Sequence, residues 1–273
     1  MAARDIVKKL QDMTSIEWSE RATSSGTAGT YLKARTGAGA RSTYYKLARF
    51  NGIEIDGFEC VNELVASRLM EILGVEHLPY RLIHARVNID DNSYETWLNS
   101  SQSFRKTGER KLALGSFFEM YRKNDETPWE FCKRFGWDEQ VRQMMLVDYL
   151  IINRDRHSSN TEALIGRDGT PRLAPIFDSG LSLLAPFAGD EERVASFDPL
   201  KPVATTNFIG SRSLEENLER AVPVPNINPL REGHRAQLLE GLDDILSRGH
   251  LDKIWEIIWT RWKRYEDIRD RRQ

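Results

Sequence analysis

The chain changes character once along its length, near residue 100, and that change constrains the fold more than any other feature. Before it, "GTYLKAR" and "STYYKLARF" are rich in tyrosine and threonine, which favour a pleated, half-buried surface. The glycine-bearing "TGAGAR" between them suits a hairpin. "PYRLIHARVNI" and "YETWLNS" read as further strands joined through the turn residues "DDNS". One helix interrupts these strands: "GFECVNELVASRLMEILG" spaces Val61, Leu64, Val65, Leu69 and Leu73 at helical intervals and stops at Gly74. Beyond Ser100 the patterns are mainly helical, ending in a C-terminal helix whose stripe of Trp255, Trp259 and Trp262 with Ile254, Ile258 and Tyr265 reads as core packing. "AVPVPNINPL" at 221–230 reads as a proline-broken surface stretch between two helical regions, and Ser213 before Glu216 as a capping box that starts a helix. The fold class expected is α+β in two lobes: a small antiparallel sheet lobe with one helix over 1–100, and a larger helical lobe over 101–273.

Bulk properties then narrow the function classes. The chain has 273 residues, 40% of them hydrophobic, enough to bury a substantial core. A net charge of -2 supplies no electrostatic drive toward nucleic acid or an anionic membrane, so neither is expected as a partner. Cys60 and Cys132 both fall in helical patterns, which suits a reducing compartment and argues against a disulfide framework or a cysteine-rich zinc site. The N-terminal stretch carries charges throughout, and no run of apolar residues reaches the length of a membrane span. A cytoplasmic location is expected.

The chemistry concentrates where the apolar run "MMLVDYLII" gives way to "NRDRHSSN". Asp155 and Asn160 stand at the interval that separates the catalytic aspartate from the metal-holding asparagine in kinase catalytic loops, and Asp178 in "FDSG" sits where the second metal-binding aspartate follows. Magnesium prefers hard oxygen ligands, and a hydroxyl attacking a phosphoryl group needs a carboxylate to align it and take its proton. Asp155 suits the latter task; Asn160 and Asp178 suit the metal. The strand "RLAPIFD" would deliver Asp178 across a hairpin turning at "GRDG". The same residues are also what helix caps and turns use. The N-terminal half weighs against that plainer explanation. Lys46 lies within the strand "YYKLA", Glu63 lies one helix later, and "SSGTAGT" supplies a glycine-rich turn before both. This is the order in which a kinase places its phosphate loop, phosphate-contacting lysine and orienting glutamate.

"YLIINRDRHSSNTEALI" followed by "RLAPIFDSGLSLL" resembles the signature of the HipA-like serine/threonine kinases, and a looser likeness extends over about residues 23–184. The resemblance implies a protein-kinase-like fold and the cofactors ATP and magnesium (Mg2+). It implies catalytic roles for Asp155 as base and for Asn160 and Asp178 as metal ligands. Cofactor contacts are implied at Ser25, Gly26, Thr27, Gly29, Lys46 and Glu63; strand order places the adenine pocket at Trp97 to Ser100, after the last sheet-lobe strand, with Leu98 as the contact. His157 belongs to the motif, and hydrogen bonding and packing are the commoner use of a histidine at such a junction. The implied acceptor is a serine or threonine of a protein substrate, in a toxin–antitoxin setting with an antitoxin or regulatory partner. The chain looks like a minimal kinase core lacking the N-terminal region of full-length HipA toxins. Family members carry a phosphorylatable serine in the glycine-rich loop, for which Ser24 and Ser25 are the best-matched positions. Gly180, after the metal aspartate, reads as backbone freedom for a turn. A small-molecule or lipid kinase is the alternative in the same chemistry. A catalytically inactive nucleotide-binding or scaffold protein is the alternative of another class, and a magnesium-dependent nuclease or phosphohydrolase would need neither Lys46 nor Glu63.

Overall fold

The tyrosine- and threonine-rich stretches pair as a hairpin, β2 (Lys33–Thr36) with β3 (Thr43–Leu47), in a computed structural model that describes residues 4–19 and 31–272. The connection needs its glycines: Gly37 has a φ of +76°, and a Cβ there would lie 2.8 Å from the Arg41 carbonyl oxygen. After α1 (Glu59–Leu73), β4 (Arg81–Ile89) turns back into β5 (Asn92–Gln102) through Asp90, and β5 also pairs with β3. The N-terminal stretch adds β1 (Ile6–Asp12), parallel to β4, giving the order β1-β4-β5-β3-β2. No alternating apolar pattern announces β1. It is an edge strand that buries only Ile6.

Helix α1 is buried nearly all round, Glu71 excepted, because the sheet covers one side and the large lobe the other. It ends where the N–H of Val75 reaches the Met70 carbonyl at 2.9 Å, with Gly74 in the left-handed region that such a cap requires.

The larger lobe holds α2 (Leu114–Tyr121), α3 (Pro128–Arg134), α4 (Asp138–Leu150), α5 (Glu191–Ala195), α6 (Leu214–Ala221), α7 (His234–Leu239) and α8 (Arg248–Asp270). A second sheet runs β6 (Arg110–Ala113), β7 (Glu162–Ile165) and β8 (Pro171–Leu173) in that order; its β7–β8 hairpin turns at 166–169, as the sequence leads one to expect, and only β6 was not signalled. Thr127 and Glu130 form a reciprocal capping box at α3. At α6, Ser213 accepts from the Glu216 N–H, while its hydroxyl faces Glu215. The tryptophan stripe of α8 packs inward, with Trp262 at 1% exposure and Trp255 stacked on Trp259. The stretch at 221–230 corrects the sequence reading. It separates α6 from α7, yet Ala221, Val222, Val224 and Leu230 are buried in the main core, because its apolar residues turn inward between the prolines. Among the described residues no helix is long and apolar enough to cross a membrane.

Candidate active site

Helix α4 delivers the first half of the site. Its apolar face locks it into the core, and the chain leaves it at Ile152, held in the left-handed region at φ 54° while Leu183 N–H bonds the Ile151 carbonyl at 2.6 Å. A β-branched residue does not adopt that conformation unaided, so the packing imposes the turn. The loop that follows is built around Arg156, 1% exposed. Its guanidinium donates to Asp148 on α4 at 2.8 and 3.0 Å, to the Phe177 carbonyl at 2.7 Å, to the Asn160 carbonyl at 3.1 Å and to the Ser179 hydroxyl at 3.3 Å. Arg156 thus binds the 153–160 loop to the 177–179 segment. Asn153 braces the turn, donating to Asp148 at 2.8 Å and accepting from the Asp155 N–H at 3.1 Å.

Within that frame Asn160 Nδ2 donates to the Asp155 backbone carbonyl at 2.8 Å and lies 3.4 Å from its Oδ2. His157 Nε2 lies 3.6 Å from the same oxygen, and Oδ1 accepts from the Thr206 hydroxyl at 3.1 Å.

The second half comes from the small lobe. Lys46 Nζ bridges Asp178 Oδ1 at 2.6 Å and Glu63 Oε1 at 3.2 Å, while Lys33 stands 3.8 Å from Asp178 Oδ2. Lys33 and Lys46 are direct cross-strand partners. Like charges so placed repel, and the Asp178 carboxylate compensates both. Glu63 also accepts from the Ser179 N–H at 2.9 Å, so α1 holds the residue beside Asp178 as well as the lysine. Asp178 has a φ of 56°, and its N–H donates to the buried Tyr80 hydroxyl at 3.2 Å. Gly180 corrects the sequence reading: its φ is not in the left-handed region, and what requires glycine is space. A Cβ there would lie 3.1 Å from the Glu59 Cβ and 3.2 Å from the Glu59 carbonyl oxygen.

Burial by itself would lower the Lys46 pKa, but Asp178 and Glu63 outweigh it and hold the ammonium well above its ordinary value. Burial would raise Asp178, and Lys46 with Lys33 instead keeps that carboxyl below the usual carboxylate range. Glu63, buried deepest, is shifted up by desolvation against the pull of Lys46. All these groups line one cleft of about 770 Å³ between the lobes.

Lys46, Glu63, Asp155, Asn160 and Asp178 are therefore brought together. Leu98 is not at the cleft. Strand β5 runs on to Gln102, so Leu98 lies in mid-strand and packs with Leu47 in the small-lobe core, while the alternating neighbours Asn99 and Ser101 face the cleft. Ser24, Ser25, Gly26, Thr27 and Gly29 lie outside the described residues. The sequence reading did not find Arg156, Asp148, Tyr80, Lys33 or Thr206. Asp148 did carry a signal, an acid within the apolar run "LVDYLII", which needs a buried partner. Among the described residues no cluster of three or more His, Cys, Asp or Glu could hold a metal.

The two-lobed arrangement, with the site in the cleft between a five-stranded sheet and a helical lobe, is a protein-kinase-like α+β fold. The chain is similar over 95% of its length, and 96% of the other chain's, to the proinflammatory kinase CtkA of Helicobacter pylori, at 14% identity and a TM-score of 0.60. It also matches HipA of Shewanella oneidensis MR-1, solved in complex with HipB and operator DNA, at 13% identity over 90% of this chain and 67% of that one, with a TM-score of 0.44. No protein-family model matches the chain, and no curated protein matches it.

Proposed function

We propose that the chain is an ATP- and magnesium-dependent phosphotransferase whose acceptor is a serine or threonine hydroxyl of a protein. One observation carries the reading: Lys46 is held between Glu63 and Asp178 in the same cleft as the Asp155–Asn160 loop. The paired Lys33 and Lys46 ammonium groups suit a polyphosphate, and Glu63 fixes Lys46 from behind so that its charge points into the cleft. The Asp178 carboxylate and the Asn160 carboxamide oxygen form a hard-oxygen donor set that fits magnesium; Asn160 Nδ2 is the end committed to Asp155, which leaves Oδ1 for the ion. When bound, the ion neutralises phosphate charge. Asp155 orients the acceptor hydroxyl and takes its proton as the acceptor oxygen bonds to the γ-phosphorus and the bond to ADP breaks. The motif resemblance supports a protein acceptor, and the two buried free cysteines, Cys60 and Cys132, suit a reducing, cytoplasmic setting.

The test is transfer of labelled γ-phosphate to proteins of a lysate in magnesium. Wild type should label at least one protein, and Asp155→Asn should lower that labelling by about a hundredfold or more, the usual size of a general-base contribution. Equal labelling by the two proteins contradicts the assignment.

A further inference from the structure

The segment after α5 returns to the catalytic loop and runs beside it. The N–H of Thr206 donates to the Arg154 carbonyl at 3.0 Å, and the N–H of Phe208 donates to the Arg156 carbonyl at 3.1 Å. This placement is fixed from both ends. On the near side Arg261 of α8, fully buried, donates to the carbonyls of Pro199 at 2.7 Å and Lys201 at 3.0 Å, and to the carbonyl of Tyr149 at the end of α4 at 3.1 Å. On the far side the Asn207 side chain accepts from the N–H groups of Ile209 and Gly210 at 2.9 and 2.7 Å, and Thr205 N–H bonds the Arg212 carbonyl at 2.9 Å. The outcome is that one exposed hydroxyl, Thr206 Oγ1, sits 3.1 Å from Asp155 Oδ1.

We infer that Thr206 is a positioning residue for Asp155, setting the orientation of the carboxylate that receives the acceptor proton; the inference rests on the reading of Asp155 as the base. A threonine hydroxyl has a single proton, and the carboxylate oxygen at 3.1 Å is a better acceptor than the Arg154 carbonyl at 3.4 Å. With Oδ1 held by Thr206, and Oδ2 faced by Asn160 Nδ2 at 3.4 Å, the carboxylate plane cannot turn freely. A general base works only when its oxygen is in reach of the proton and correctly aimed. The β-branch of threonine restricts its own χ1, so the hydroxyl arrives already directed. Thr206 reaches the reacting atoms through Asp155, and its contribution is alignment.

The test uses the full chain and the most strongly labelled lysate protein as acceptor. Thr206→Val should lower kcat about tenfold, the size expected for losing a hydrogen bond to a charged group. KM for ATP should stay unchanged, because the Thr206 hydroxyl bonds Asp155 and faces the Arg154 carbonyl rather than Lys33, Lys46, Asn160 or Asp178. Thr206→Ser should recover most of the rate. Thr206→Val added to Asp155→Asn should cause no further loss, because the two act as one unit. Wild-type kcat in Thr206→Val, a full additional loss in the double variant, or phosphate found on Thr206 itself after incubation with ATP overturns the inference. An inactive Asp155→Asn beside a fully active Thr206→Val defeats this inference alone, whereas a fully active Asp155→Asn defeats it together with the function proposed above.

Discussion

The Arg156–Asp148 pair and the Lys46–Asp178 pair meet at the 177–179 segment, and they differ in what surrounds them. Both side chains of the first are 1% exposed, and its remaining hydrogen bonds are made with the Asn153 carboxamide, the Ser179 hydroxyl and backbone carbonyls. The second opens on the cleft, with Lys46 17% and Asp178 24% exposed, and shares its charge with Glu63 and Lys33. A closed pair repays its desolvation only through the protein's own groups, so it can serve as scaffold. An open pair backed by further charges can exchange partners with an ionic ligand. The difference separates residues that build the site from residues that use it.

The largest effect expected from this difference is on stability. Asp148→Ala leaves a buried guanidinium without its counter-charge, which should cost about 3–5 kcal/mol and appear as a large fall in Tm by calorimetry. A fall no larger than that of a surface substitution would erase the distinction. Lys46→Met should cost less stability than Asp148→Ala, because Lys33 still faces Asp178 and Glu63, shifted up by burial, can take up a proton, while phosphoryl transfer falls about a hundredfold, the scale seen when one charge-stabilising donor is removed. Glu63→Gln should be milder, about tenfold in transfer, because Lys46 keeps Asp178 and a carboxamide oxygen still accepts from the Ser179 N–H.

The smallest effect should come from a half-open pair. Asp5 accepts two hydrogen bonds from Arg68 of α1, at 2.7 and 2.8 Å, and its side chain is 31% exposed. Burial would raise its pKa, yet Arg68 keeps it below the ordinary 3.8. A carboxyl with a lowered folded-state pKa adds stability that is present above its unfolded value and disappears as pH falls through the folded one. The Tm difference between wild type and Asp5→Asn should therefore be constant near neutral pH and shrink below pH 3.8. A difference that grows in acid contradicts the assignment.

The same contrast explains what was legible in the sequence. Lys46, Glu63, Asp155, Asn160 and Asp178 are recognised by order and interval along the chain, because the residues proposed to meet nucleotide, ion and acceptor sit at fixed places on a strand, a helix and a loop. Arg156 stands inside the same motif and gave no such signal, because its role depends on carbonyls at 160 and 177 and on an acid one helix away. Tyr80 meets Asp178 across 98 residues of sequence, and Thr206 meets Asp155 across 51. The hairpin, α1 and its glycine cap were readable from local propensity. Strand β1 was not, because a parallel edge strand that buries only Ile6 leaves no alternation to read. Leu98 was misplaced for a related reason: the end of β5 is set by its pairing with β3 through Gln102, which local composition does not fix.

The central claim is that the open cluster receives nucleotide phosphates. Calorimetric titration of ATP with magnesium into wild type and into Asp178→Asn, each confirmed folded by its melting curve, addresses it directly. One saturable site in wild type, weakened at least about tenfold in Asp178→Asn by the loss of a charged ligand to the ion, is the predicted result. No binding by wild type, or equal binding by both proteins, would contradict the account.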